Sequence, residues 1–406
     1  MIRFERHTTP VVIINCKLAA LGVMRSLGSL GVPLYGVDPD RWSPGMLSRY
    51  CKGRFLKKFD ENDPKEFLED LLDAGAEIGG RSILIPTSDE TALFVAEYAD
   101  RLSERFIFQR NSAEMVRKLI SKKEMYEVVQ KHQVPTPFTL FPNNLEEAAA
   151  YAEKAVFPVM LKGILGNRLQ ARTRKKMVIV RSKEELIENY KRLEDPNFPN
   201  LMLQEYIPGG DDQVYIFNGY FNKESECLAG FTGYKIRQFP THVGCASLGE
   251  TVWNKEVADL TTRFMRSIRY QGILDIGYRF DARDGRYKVL DINPRIGQAF
   301  RLFLAENGMD VARALYLDLT GQKPYPIVPR EKRRWVIEDY DIISSIHYYQ
   351  EGTLRFGEWI RSFRNVEEGA WFHWKDPLPF FWMLSGLLKR ALLWLGKRLR
   401  LVKGEG

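Results

Sequence analysis

KVLDINPRIGQAFR, residues 288–301, reads as a buried strand interrupted by polar residues at every second position. Val289, Leu290 and Ile292 are its apolar part, and Asp291, Asn293 and Arg295 interrupt it. Side chains alternate across a strand, so the three polar groups share one face. A carboxylate, an amide and a guanidinium are costly to bury together without partners. The strand therefore points to something charged that they hold.

Working upstream, ILDIGYRFD (273–281) is a second strand, with Asp275 and Gly277 on one face. GYKIRQFP (233–240) places Lys235 and Arg237 two residues apart. In FPVMLKGI (157–164), Lys162 shares a face with Met160 and Pro158, which turns it toward a cleft. A basic, glycine-containing stretch follows, GILGNRLQARTRKK (163–176). Lys122 lies at the start of a helix, SKKEMYEVVQKHQV (121–134), with Ser121 as its N-cap. One basic strand residue is an ordinary surface feature. Several of them, followed by a carboxylate–amide strand, suit a polyphosphate with a divalent metal. QEYIPGGDD (204–212) runs from an apolar strand into a short linker and a turn. Such a linker can offer backbone groups to a base edge and a carboxylate to a ribose.

The N-terminal stretches PVVIINC (10–16), LAALGVMRSLGSLG (18–31) and VPLYGVD (32–38) form a β-α-β start, so a parallel sheet is expected. There is no GxGxxG, and Asp38 reads as a loop cap. The helix–strand alternation continues through SILIPT (82–87) and DETALFVAEYADRL (89–102), and a first domain is expected to end near residue 120. A chain of 406 residues that is 45% hydrophobic holds two or three domains. Cys16, Cys51, Cys227 and Cys245 form no CxxC pair and the five histidines do not cluster, so a reducing compartment without a zinc or haem site is expected. No signal-peptide pattern is read at the N-terminus. The net charge of +8 is concentrated in RTRKK (172–176), REKRR (330–334) and the tail. It is not spread as an aromatic-interleaved stripe, which argues against nucleic acid as a partner.

Taken in order, these stretches resemble the ATP-grasp superfamily, most closely the carboxylate–amine ligase group that includes D-aspartate ligase-like proteins. The resemblance covers roughly residues 10–325. It implies an α/β and α+β chain: a doubly wound parallel-sheet domain (1–120), then a two-lobed ATP-grasp domain (121–325) with a lid at about 135–204. A C-terminal extension follows (326–406). It implies ATP and Mg2+ as cofactors, and small-molecule carboxylate and amine substrates joined through an acyl phosphate. By the same resemblance, Lys122 and Lys162 bind the nucleotide, and Gln204, Glu205, Tyr206 and Ile207 form the adenine linker. Asp212 meets the ribose, with Asp211 its rival. Lys235 and Arg237 lie by the triphosphate, Asp275, Asp291 and Asn293 hold the metal, and Arg295 stabilises charge. The stretch 163–176 is expected to close over the triphosphate. Gly277 stands where relatives carry a second acid. Arg279 and Arg301 read as surface or salt-bridge arginines before substrate ligands, and His242 as an exposed loop residue before a base. A carboxylase, a small-molecule kinase and a membrane-attached ATP-binding protein with little catalysis remain as other readings.

The tail, PLPFFWMLSGLLKRALLWLGKRLRLV (377–402), has an uncharged run too short to span a bilayer, which takes about twenty residues. At helical spacing Phe380, Leu384, Leu387, Ala391, Leu395 and Val402 fall on one side, with Leu388, Leu392 and Leu399 beside them. Lys389, Arg390, Lys397 and Arg400 fall on the other, Arg398 lies near the apolar side, and Trp382 and Leu393 break the pattern. A basic amphipathic helix on an anionic membrane surface is expected, placing a cytoplasmic protein at the inner face of the membrane. A helix docked on the protein's own core, or a contact in a homo-oligomer, is the alternative.

Overall fold

The computed structural model describes residues 4–5, 7–175, 177–195 and 197–403, with the backbone alone at 166, 167, 391 and 394–403. Among the described residues the strands form three sheets. The first contains β1 (Val11–Ile14), β2 (Leu34–Val37), β3 (Cys51–Phe55), β4 (Ser82–Pro86) and β5 (Phe106–Ile107), in the order β3-β2-β1-β4-β5. All its pairings are parallel. VVII in β1 is buried throughout, as a parallel strand covered on both faces requires. Asp38 caps the loops beside it: its carboxylate accepts from Cys16 N at 2.8 Å, Asp40 N at 2.9 Å and Ser43 Oγ at 2.7 Å.

The second sheet is antiparallel: β6 (Thr139–Leu140), β7 (Val159–Gly163), β8 (Met177–Val180) and β9 (Leu201–Glu205), ordered β6-β9-β7-β8. Val159 and Leu161 enter a core with Ala148, Leu186, Tyr190 and Leu203. The alternate residues Met160 and Lys162 therefore face the other way. The third sheet contains β10 (Val214–Phe221), β11 (Cys227–Phe239), β12 (Cys245–Thr251), β13 (Gly272–Asp281), β14 (Arg286–Asn293), β15 (Arg334–Val336) and β16 (Val366–Gly369). Their order is β14-β13-β10-β11-β12-β15-β16, so the C-terminal extension adds two strands beyond β12.

One hydrophobic core joins the first sheet, the third sheet and the extension. It includes Val11, Leu27, Phe300, Leu315, Trp335 and Ala370. Buried ion pairs reinforce this junction. Arg25 meets Asp376 at 3.1 Å, and Asp376 also accepts from Ser48 Oγ and Arg49 N. Arg301 lies between Asp310 and Glu368, each at 2.7 Å, and so is a structural arginine. Arg333, expected within an exposed basic run, is 1% exposed and meets Glu368 at 2.9 Å.

The tail forms a helix over Leu378–Lys403. Pro379 and Met383 are buried, and Trp382, which breaks the sequence pattern, stacks on Trp42 with ring centroids 4.6 Å apart. Phe381, Leu384, Leu388 and Leu392 are exposed at helical spacing. The positions Ala391, Leu395, Lys397, Arg398, Leu399, Arg400 and Val402 lie outside the described side chains. No described helix is long and apolar enough to cross a membrane.

Candidate active site

A cleft of about 960 Å³ separates the second and third sheets. Met160, Lys162 and Met202 line one wall, and Lys235, Asp275 and Asp291 the other. The acids come together because β13 and β14 are antiparallel neighbours. Asp275 stands opposite Asn293, and Gly277 opposite Asp291. Burial, with a further push from Asp291 and against the pull of Arg295, raises the Asp275 carboxyl to about 6. Burial also raises Asp291, but Lys122, Lys235, Asn293 and Arg295 outweigh it and hold Asp291 below the usual carboxylate range. A Cβ at Gly277 would collide with Asp291 Oδ1, so the glycine makes room for that carboxylate.

Two carboxylates and an amide oxygen form a hard donor set that fits magnesium, which keeps several of its waters. Among the described residues, no group of three or more His, Cys, Asp or Glu gathers to hold a metal. Asn293 donates from Nδ2 to Asp275 O at 3.2 Å and accepts at Oδ1 from Arg295 Nη2 at 3.2 Å. Arg295 Nε in turn donates to Asp89 Oδ1 at 2.8 Å. Asp89 begins a helix of the first domain whose N-cap, Ser88, accepts from Thr91 N. That acid was not singled out in the sequence, because its partner is 206 residues away.

The lysines on this cleft feel the nearby acids without contacting them. Lys122, at the first position of its helix, and Lys162 and Lys235 form no ion pair among the described residues. Lys162 Nζ donates to Gln204 Oε1 at 2.7 Å. Burial first, then Lys122, lower its pKa to about 8, although Asp291 pulls the other way. Lys235 Nζ donates to Gly244 O at 2.8 Å and to Gln238 Oε1 at 3.2 Å.

Several sequence assignments need correction. Gln204 does not line the cleft. It is fully buried, donates to Tyr126 Oη at 2.8 Å and Thr139 Oγ1 at 2.9 Å, and so orients Lys162. Arg237 was expected beside the triphosphate with Lys235. A bulge between Lys235 and Arg237 breaks the alternation. The guanidinium is buried against Asp341 at 2.8 and 2.9 Å. Glu205 lines the cleft, and its side chain also braces the linker. It accepts from Phe138 N at 2.8 Å and Lys288 Nζ at 3.2 Å, and also meets Arg283. Tyr206 and Ile207 line the cleft. Arg279 holds the linker, donating to Ile207 O at 2.9 Å and Gly209 O at 2.7 Å. The stretch 163–176 folds into a helix over Gly166–Thr173; the cleft is lined by Gly163 before it and Met177 after it. Lys176 lies outside the described residues.

Asp212 lines the cleft and makes no hydrogen bond among the described residues. Asp211 points instead to Tyr348, Gln238 and His242. His242 is half exposed but engaged, with Nδ1 3.2 Å from Asp211 and Nε2 2.9 Å from Glu351. Burial opposes its charge, yet Glu351 and Asp211 raise its pKa overall. Tyr348, Thr353 and Leu354 of the extension also line the cleft and were not read from the sequence.

No protein-family model matches the chain. It is 26% identical over 331 residues to the D-aspartate ligase of Enterococcus faecium (strain Aus0004), covering 77% of each. Its fold matches the biotin carboxylase domain of the Hydrogenobacter thermophilus 2-oxoglutarate carboxylase, a structure in complex with MgADP, ADP and bicarbonate. The TM-score is 0.62 at 16% identity, over 81% of this chain and 74% of that one. The chain has the ATP-grasp fold. An L-amino acid ligase from Bacillus licheniformis shares this ATP-grasp architecture with a TM-score of 0.57 at 14% identity, over 79% of this chain and 76% of that one. In sequence, this ATP-grasp chain is akin to the D-aspartate ligase-like carboxylate–amine ligases.

Proposed function

We propose that the protein is an ATP-dependent carboxylate–amine ligase that forms an amide and releases ADP and phosphate. The observation that carries this reading is one cleft in which Lys122, Lys162 and Lys235, none of them in an ion pair among the described residues, lie with Asp275 and Asp291. Unpaired cations on a partly buried wall favour an anion, because part of their desolvation has already occurred on folding. Lys122, Lys162 and Lys235 hold the phosphates, the 205–207 linker meets the adenine, and Asp212 meets the ribose. Asp275, Asp291 and Asn293 would hold magnesium, which supplies charge neutralisation between phosphate oxygens. Residues 1–120, 121–325 and 326–406 serve as first domain, ATP-grasp domain and extension, with the second sheet as the lid.

In the reaction a substrate carboxylate oxygen attacks the γ-phosphorus, and the bond to the β-bridging oxygen breaks to release ADP. The amine nitrogen then attacks the carbonyl carbon of the acyl phosphate, the C–O bond to phosphate breaks, and the nitrogen loses a proton. No enzyme nucleophile is required. The chain contributes positioning and charge. Arg295, fixed by Asp89, steadies charge at the reacting phosphoryl group, and lid closure excludes water from the acyl phosphate. The relative's name makes D-aspartate the first substrate to try. The test is phosphate release from ATP and magnesium with amino acids as candidate carboxylates and amines, with products weighed by mass spectrometry. An amide product is expected; phosphate release without any condensed product from the full set would sink the ligase reading.

We also propose that the tail helix rests on anionic lipid at the cytoplasmic leaflet. Its exposed stripe of Phe381, Leu384, Leu388 and Leu392 lies on a segment that carries Lys389, Arg390, Lys397, Arg398 and Arg400. That combination suits an interfacial helix. Full-length protein should float with anionic vesicles at low salt, and a chain ending at Asp376 should not. Equal behaviour of the two would make the tail a packing or oligomer element.

A further inference from the structure

The C-terminal extension reaches the nucleotide end of the cleft. Its helix Glu338–Gln350 buries a polar face made of Asp341, Ser344, Ser345 and Tyr348. Tyr348 Oη donates to the Asp211 carboxylate. The same oxygen accepts from Gln238 N at 3.2 Å and His242 N at 3.3 Å. One donated and two accepted bonds use the whole capacity of a phenol. Asp211 Oδ1 also accepts from Gln238 Nε2 at 3.0 Å, and the His242 ring lies between Asp211 and Glu351. That ring stands edge-on to Tyr348, with centroids 5.0 Å apart. His242 adopts φ of 63°, a region unfavourable for a side-chain-bearing residue, so its surroundings must over-determine it.

Asp211 and Asp212 open one short 3₁₀ turn directly after Gly209 and Gly210. Gly209 has φ of 123°, which glycine adopts without strain, so the loop has little stiffness of its own there. Fixing Asp211 therefore fixes the direction in which Asp212 leaves the backbone. Both acids line the cleft, but the Asp211 carboxylate is taken up by Tyr348, Gln238 and His242, while that of Asp212 has no hydrogen-bond partner among the described residues.

We propose that Tyr348 and His242 are positioning residues of the nucleotide site: with Glu351 they anchor Asp211 to the C-terminal extension and thereby hold Asp212 toward the ribose of the bound nucleotide. This rests on the ATP-binding reading of the cleft and adds a role for a segment beyond the ATP-grasp domain. A packing role for Tyr348 would affect every nucleotide alike. A role through Asp212 affects only nucleotides that carry ribose hydroxyls.

The experiment is calorimetric titration of the full-length protein with MgADP and with its 2′,3′-dideoxy analogue. Wild type should prefer ADP by roughly tenfold or more, as a charge-assisted hydrogen bond implies. Asp212→Ala should abolish the preference. Tyr348→Phe, which removes one oxygen, should reduce it to within about threefold of unity and leave the dideoxy affinity unchanged. His242→Gln should reduce it partway. Tyr348→Phe in an Asp212→Ala background should add nothing further. Wild-type preference in both Tyr348→Phe and His242→Gln would overturn the proposal, as would an equal loss of affinity for both nucleotides. A wild type that prefers neither nucleotide would overturn the Asp212 assignment. If wild type binds no ADP at all, the nucleotide reading itself fails.

Discussion

One end of the cleft is unpaired, with Lys122, Lys162 and Lys235 in no ion pair among the described residues, whereas the other is paired, with Asp211, Glu205 and Arg237 each engaged by protein partners. Arg237 and its partner Asp341 are only 4% and 1% exposed, and Ser247 and Trp359 add hydrogen bonds to Asp341. Lys162 has a single amide partner and a depressed pKa. Both ends are rich in charge, so charge alone does not mark a ligand site. The satisfied charges support the fold, and the unsatisfied ones cost folding energy that a ligand can recover. Each end should then respond to substitution in its own way.

The largest effect belongs to the paired end. Arg237→Met leaves Asp341 buried without its cation and should destabilise the protein by about 3–5 kcal/mol in denaturant unfolding. Nucleotide affinity of the folded protein should stay within about threefold of wild type, because the guanidinium does not serve the phosphates. Arg237→Met/Asp341→Leu should regain most of the stability. A large loss of ADP binding in a folded Arg237→Met would break the comparison and return Arg237 to the triphosphate.

Asp291→Asn should do the reverse. Its fold should persist, because the carboxylate is surrounded by cations intended for a ligand set, while turnover falls by about 10²–10³-fold. Retained turnover at ordinary magnesium concentrations would remove Asp291 from the metal site. Lys162→Met comes next. Losing one charged phosphate contact should weaken ADP binding by about 1.5–3 kcal/mol. Unchanged ADP affinity would show that Lys162 does not reach the phosphates.

The same contrast explains which parts were legible in the sequence. Lys162 was readable because strand alternation is unbroken around it, and Asp291 and Asn293 because polar residues stand out in an apolar run, although β14 has its own irregularity between Val289 and Asp291. Alternation failed for Arg237, where the ladder is irregular on both sides of the residue and the guanidinium at the cleft wall is taken up by Asp341. Gln204 lies next to the linker in sequence, but proximity carries no information on direction, and the side chain turns inward to Lys162. The helix Glu338–Gln350 escaped because its pattern is inverted. Its buried face is polar, and Ile342, Ile346 and Tyr349 are exposed on the other. Hydrophobic periodicity presumes the opposite arrangement. Tyr348 and its contact with Asp211 were hidden with it. The parallel sheet and the β13–β14 pair followed from apolar runs bounded by turns, while the β15–β16 edge arises from short strands placed by the buried Arg301–Glu368–Arg333 cluster.

The smallest effect is a matter of protons, and it separates the two ends without a substitution. Free Lys162 titrates near 8, below the ordinary lysine value, because burial and Lys122 disfavour its charge. In the unfolded chain it titrates near the ordinary value, about 10.4. Between these two values the unfolded chain binds more protons, so this group makes the fold more stable as pH rises. Phosphate favours the charged lysine, so nucleotide binding raises its pKa and takes up a proton. Apparent ADP affinity should therefore be full below about pH 8 and decline above it, by at most about tenfold per pH unit, in the same range where stability rises. Calorimetry in two buffers of different ionisation enthalpy reads this uptake directly, and Lys162→Met should abolish it. If wild type and Lys162→Met take up protons equally, the titrating group lies elsewhere and Lys162 carries its charge no differently from a surface lysine.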